Sequence, residues 1–236
     1  MSYTLTQTQN WIAGFIQGLP TSNFTGSEPI LSTASMVQSM VCAPPFSWAW
    51  NRAEDSSVTT TQNQQDYTVN LTNFGFLEKA SLTESTGKMW EIKEILNSEP
   101  LAKSTTQSRP MSISVISTLP GTSAKFRLGA VPDAVYTLNL VYQKSPAIFS
   151  SLSNNWTLPD SMIQVYNNLV LGEMFALADD PRAQLYRQRG ALGLLSFASG
   201  LDEEDKATFM QMYLNQGAAV QASGMYRQQG IQSRSI

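Results

Sequence analysis

Histidine is absent from the chain. That removes the commonest general base, the commonest zinc ligand and the side chain that titrates near neutral pH. Cys42 is the single cysteine, so an internal disulfide, a thiolate metal cluster and a pair of resolving thiols are all excluded. Its neighbours Met36, Val37, Met40 and Val41 mark it as a small buried hydrophobe, which fits folding in the cytosol. Charge is scarce: Asp, Glu, Lys and Arg make up 14% of residues, and the net charge is −3. A chain of that sign does not wrap nucleic acid non-specifically, which takes many phosphate contacts. No apolar run approaches the roughly 18 residues of a membrane span. The stretches Val165–Ala178 and Ala191–Ala198 are interrupted or short. Met1–Thr8 has neither the basic flank nor the apolar run of a signal peptide.

Apolar residues reach 42%, enough for a sizeable core and incompatible with wholesale disorder. The pattern changes near Asn155. At the front, Leu5, Trp11, Ile12, Phe15 and Ile16 predict a helix closed by Gly18 and Pro20. A second helix is expected over Glu28–Val41, with Ser27 as N-cap, Pro29 in the first turn and Pro44-Pro45 beyond its end. The middle reads as strands at 58–61, 66–71, 76–83, 88–95, 111–118, 125–128 and 136–144. Ser85-Thr86-Gly87 signals a hairpin, and 97–110 reads as a long loop. Along the last strand, Tyr136, Leu138, Leu140 and Tyr142 share one face.

Three helices follow. The first spans Pro159 to about Ala178. The second opens on Asp180-Pro181 and ends at Gly200; Asp202 caps the third, which carries Met210, Tyr213 and Leu214 on one side. Gly172, Gly190 and Gly193 each cost about 1 kcal/mol against alanine inside a helix. Either close helix–helix approach offsets that cost or the glycines are merely tolerated. The final stretch, 216–236, contains no acid and cannot bury enough apolar area to fold alone.

The expected fold class is therefore α+β: a helical bundle of N-terminal helices plus three C-terminal helices, an inserted small antiparallel β-sandwich or barrel, and an extended C-terminal tail. The expected domains are residues 1–45 and 156–215 for the helices, 46–155 for the β-domain and 216–236 for the tail.

Chemistry-bearing motifs are few. No Gly-x-Ser-x-Gly elbow, Walker loop or calcium loop occurs, and Thr86-Gly87-Lys88 is a hairpin turn. The acidic pairs Asp179-Asp180 and Asp202–Asp205 stand where helices begin, and capping explains both. Glu54-Asp55 follows Trp48, Trp50 and Arg52, the pattern of an acid beside a sugar platform; the alternative is a tryptophan clamp between layers. Arg182, Arg187 and Arg189 fall within two helical turns, and Arg182 and Arg189 share a face. They can meet a backbone phosphate, an acidic partner surface, or Asp179 and Glu173. No catalytic residue, cofactor site or metal site is expected, and the chain is not expected to be an enzyme.

The order of motifs carries more information than any one of them. Pro-Pro-Phe-Ser-Trp-Ala-Trp-Asn-Arg (44–52) and Asp66-Tyr67-Thr68-Val69 come first. Arg127-Leu128-Gly129-Ala130-Val131-Pro132-Asp133-Ala134-Val135-Tyr136-Thr137-Leu138 and Val141-Tyr142-Gln143-Lys144 follow. Leu158-Pro159-Asp160, Tyr166-Asn167 and Ala178-Asp179-Asp180-Pro181-Arg182-Ala183-Gln184-Leu185-Tyr186 close the series. This series resembles the head-to-tail adaptors (neck, or tail-tubular-A-like, connector proteins) of tailed bacteriophages. The resemblance implies a virion neck protein, assembled in the host cytoplasm, that forms a homo-oligomeric ring, most often a dodecamer. Its implied partners are the portal protein, a downstream neck or tail protein, and genomic DNA passing through the bore without sequence-specific binding; no membrane is implied. The tail residues Met225, Tyr226, Arg227, Ile231 and Arg234 are then expected to dock on the portal, and Arg182, Arg187 and Arg189 to line a subunit interface or the bore. Rings close through heterologous interfaces, which favour aromatic residues, Met and Arg. Ten Met, ten Phe, eight Tyr and five Trp suit that role. Two alternatives are a tail terminator or stopper, one layer further from the capsid, and a carbohydrate-binding β-domain that uses Trp48, Trp50 and Glu54.

Overall fold

The computed structural model describes residues 3–16, 29–95, 103–119, 122–211 and 213. They form two compact units, one of residues 42–147 and one of the chain before and after it.

Residues 42–147 build one seven-stranded sheet: β1 (Arg52–Thr59), β2 (Asp66–Val69), β3 (Phe74–Glu84), β4 (Met89–Glu94), β5 (Ser112–Leu119), β6 (Ser123–Leu128) and β7 (Tyr136–Lys144). The strand order is β1-β7-β3-β4-β5-β6-β2, curled into a nearly closed barrel. The alternation along β7 aims Tyr136, Leu138, Leu140 and Tyr142 inward. There they meet Leu82, Ile113, Phe126 and Leu128 in a core of the unit's own. Glu84, Gly87 and Lys88 close the β3–β4 hairpin, with Gly87 at φ +83°. β4 pairs antiparallel with β3 at its start and parallel with β5 at its end, through Lys93↔Ser112 and Glu94↔Ile113.

The expectation of a helical bundle with a small inserted antiparallel β-domain is corrected. The chain is mixed α/β, with the barrel-like sheet as a principal element and five helices among the described residues of the other unit. Strand alternation specifies which residues face inward but not which strands become neighbours. The parallel β4–β5 step therefore leaves no local trace.

Asp66 and Arg127 stand directly opposite each other on β2 and β6. Arg127 donates from Nε and a terminal nitrogen to the two carboxylate oxygens, at 2.6 and 2.9 Å. Lys125 adds a contact at 3.4 Å. Hydrogen bonding from Arg127 holds the Asp66 carboxyl below its ordinary range. A lowered folded-state pKa stabilises above the unfolded value and is lost as pH falls through the folded one. Asp66→Asn should therefore cost about 1–2 kcal/mol at neutral pH and have no effect well below pH ~4, read by urea unfolding at both pH values.

In the other unit, α1 (Leu5–Ala13) starts at a capping box, in which Thr4 accepts from the Gln7 amide and the Gln7 side chain accepts from the Thr4 amide. α2 runs Ile30–Val41, beginning just after Pro29. Ser27, Gly18 and Pro20, expected at the ends of these helices, lie outside the described residues. A 3-10 turn at Asp160–Met162 leads into α3 (Ile163–Leu177), and α4 spans Ala183–Phe197. The fifth helix, α5, covers 203–211 and is capped by Asp202, whose carboxylate accepts from the Asp205 amide at 2.8 Å. Asp180 acts differently from the expected N-cap. It accepts from the Arg182 amide at 2.9 Å within a turn, and the helix starts only at Ala183. α3 is buried on most sides, through Val165, Tyr166, Leu169, Val170, Leu171, Met174 and Phe175, as befits the central helix of this unit.

Candidate functional site: the outer face of the α3–α4 hairpin

Small residues bring α3 and α4 together. A methyl group placed at Gly172 would lie 2.8 Å from the Arg187 backbone nitrogen. One at Gly190 would lie 2.6 Å from the Leu169 side chain, and one at Gly193 would lie 2.8 Å from that of Val165. All three glycines are thus points of close approach. Across the same contact, Glu173 on α3 takes Arg187 on α4 in a two-pronged ion pair at 2.9 and 2.5 Å. Tyr213, at the end of the same run of helix as α5, donates its hydroxyl to Glu173 at 3.0 Å. Burial opposes the Arg187 charge, and the Glu173 carboxylate more than restores it, so the guanidinium sits above its ordinary range. Burial and the Glu173 charge push the Tyr213 phenol up as well.

The three arginines of α4 therefore have separate fates. Arg187 is largely buried and its guanidinium is spent inside the unit. Arg182 is half exposed, paired with Asp180 at 2.7 Å and lying over the Phe175 ring. Arg189 is exposed, with its guanidinium over Tyr186. With one face of α4 committed to α3, the opposite side presents Leu185, Arg189, Leu192 and Ser196 at spacings of four, three and four, a single stripe. Leu185 is 45% exposed and Leu192 is 53% exposed. Leu177, at the end of α3, and Phe197, at the end of α4, are exposed too. Trp11 of α1 packs against Phe15, just beyond that helix, with the rings tilted, and Phe15 meets Tyr186 edge-on. The face thus sets exposed leucines beside aromatic rings and arginine, and the rings and the arginine are of the types enriched in interfaces.

Sequence reasoning missed Leu185 and Leu192, because leucine in a helix reads first as core; the signal was that the leucines of α4 do not share one side, Leu185 and Leu192 lying opposite Leu194 at 3.6 residues per turn. On α5 Phe209 and Tyr213 are buried and stack at 5.7 Å, and Met210 is half-buried. Met225, Tyr226, Arg227, Ile231 and Arg234 lie outside the described residues, as does Leu214.

The tryptophans of the sheet unit form a clamp. Phe46, Trp48 and Trp50 stack in series, with centroids 5.6 and 6.0 Å apart. Trp48 is only 5% exposed, which withdraws its face from any sugar. Its backbone N–H donates to the Gln143 side-chain oxygen Oε1 at 3.1 Å, and the Gln143 side-chain Nε2 donates to Glu78, which also pairs with Arg52. Asn51 donates to the Lys144 carbonyl at 2.7 Å. These bonds tie segment 46–52 to β7 and β3. Cys42 is buried, and burial pushes its thiol up to about 12, which keeps it protonated and unreactive.

No family model matches this chain, and no curated protein matches it.

Proposed function

We propose that this chain is a structural protein of the tailed-phage neck: a head-to-tail adaptor whose copies close into a ring between the portal and the next neck or tail component, with the genome passing through the bore. The ordered motifs from Pro44 to Tyr186 support this reading. The observation that carries it is the outer stripe of α4, where Leu185 and Leu192 stand in solvent beside Arg189. Its occupant is a second copy. Asp202, Glu203, Glu204 and Asp205 are exposed at the opening of α5, and their charge complements Arg182 and Arg189. A basic, apolar patch meeting a different, acidic patch is a heterologous contact, the kind that closes a ring by rotation.

The purified protein should scatter light as a closed oligomer and show annular particles by electron microscopy. Leu192→Glu places a carboxylate in the contact and should reduce the mass to that of the 26.0 kDa chain. Arg189→Glu should weaken assembly about tenfold or more, and Glu204→Arg on the same chain should restore part of it. A wild-type protein that stays monomeric at every concentration, or a Leu192→Glu variant that assembles normally, overturns the proposal.

A further inference from the structure

We infer that the end of the sheet unit at the β3–β4 hairpin carries a binding site for an acidic protein segment, in which Lys88 and Arg109 over Trp90 receive its carboxylates. The Lys88 ammonium lies 5.2 Å from the Trp90 ring centroid, and the Arg109 guanidinium lies 4.7 Å from it. Trp90 is itself fixed, packing edge-on against Tyr136 at 6.1 Å and against the barrel core. Two like charges on one indole repel each other. Cation–π attraction offsets part of that, and an anion between or beside them offsets the rest.

Glu91, three residues from Lys88, lies with Met89, Lys79 and Val141, and the two acids that act on Tyr136 are engaged elsewhere. Asp133 accepts from the Tyr136 hydroxyl at 2.8 Å, and Glu84 accepts from Thr86 at 2.8 Å. Among the described residues, neither Lys88 nor Arg109 has an ion-pair partner. A guanidinium stacked on a ring keeps its N–H edge open, and that fork matches a carboxylate in two-pronged geometry.

The surroundings favour protein over nucleic acid. Met111, two residues beyond Arg109, is 72% exposed. An exposed methionine offers nothing to a phosphate but suits an apolar side chain of a peptide. Two cations also supply too few phosphate contacts for firm binding to a polyanion, and cations already lie against the indole on which a base would stack. This site is separate from the α4 stripe and does not depend on ring formation.

The test uses the full chain and a fluorescent peptide of alternating glutamate and leucine, followed by anisotropy. The expected result is saturable binding that weakens about tenfold or more in Arg109→Gln and further in the Lys88→Gln, Arg109→Gln double variant. The glutamine version of the peptide should not bind, and near-ultraviolet dichroism and oligomeric mass should match wild type. Three results overturn the inference: no binding of the glutamate peptide, equal binding by the double variant, or tighter binding of a single-stranded oligonucleotide of matched charge. The last would assign the site to nucleic acid.

Discussion

Replacing Arg187 with leucine should destabilise the helical unit by about 3–5 kcal/mol, a large share of a domain's total stability. The loss does not measure the worth of the ion pair. It arises because the Glu173 carboxylate, only 12% exposed, is left with the Tyr213 hydroxyl as its remaining donor. A second variant separates these two accounts. Removing all three polar groups together, as in Glu173→Leu, Arg187→Leu, Tyr213→Phe, should recover most of the stability, because buried pairs roughly break even against apolar replacements of similar volume. Thermal loss of the helical far-ultraviolet signal measures both. If the triple variant is no more stable than the single one, the network itself holds α3 and α4 together. Assembly should fall with stability in the single variant, since Tyr213 ties the end of α5 to Glu173 and thereby helps position the acidic turn at 202–205.

The same network responds to alkali. The Tyr213 phenol is raised in the folded state, so its contribution is complete below about pH 10 and is lost as pH rises through the folded value. Tyr213→Phe should flatten that alkaline decline.

Much of the sheet was legible residue by residue. Tyr136–Lys144 is β7 with the expected face inward, and Ser85-Thr86-Gly87 is the turn between β3 and β4. β1 was legible only in part, since it begins at Arg52 rather than Val58. The run Arg52-Ala53-Glu54-Asp55-Ser56-Ser57 lacks apolar alternation because β1 is the end strand of the sheet order, paired only with β7, and faces solvent along much of its length. Strand order and the size of the sheet relative to the helices were not legible, since both depend on contacts between distant segments. On α4, the spacing already set Arg182 and Arg189 on one face; of the two acids open to the three arginines, Glu173 takes Arg187, whereas Arg182 pairs with Asp180 rather than Asp179. The two exposed leucines gained meaning only once the α3-facing side of the helix was known. The tryptophan pair shows the reverse: its composition admitted a sugar platform, and burial of Trp48 decides for the clamp.

Gly172 tests the hairpin geometry on which the exposed stripe depends. Alanine is the better helix former by about 1 kcal/mol, so at a merely tolerated glycine Gly172→Ala would stabilise. Here the added methyl would stand 2.8 Å from a backbone nitrogen and 3.2 Å from the Tyr186 carbonyl carbon, and neither atom is the flexible end of a side chain. α4 must therefore shift, and overpacking of this kind costs about 1–3 kcal/mol, which outweighs the propensity gain. Gly172→Leu should cost about 3 kcal/mol or more, because no rotamer of the longer side chain avoids the α4 backbone at Tyr186–Arg187. Gly193→Ala supplies the contrast. Its methyl would meet the Val165 side chain at 2.8 Å and no backbone atom among its three nearest neighbours, so the cost should be smaller than at 172 and partly offset by the propensity gain. A ranking of Leu, then Ala at 172, then Ala at 193, read from melting temperatures, follows from backbone contact alone. If Gly172→Ala raises the melting temperature, the two helices do not approach as described. The leucine and arginine stripe on α4 would then lose the register that presents it to a neighbouring copy.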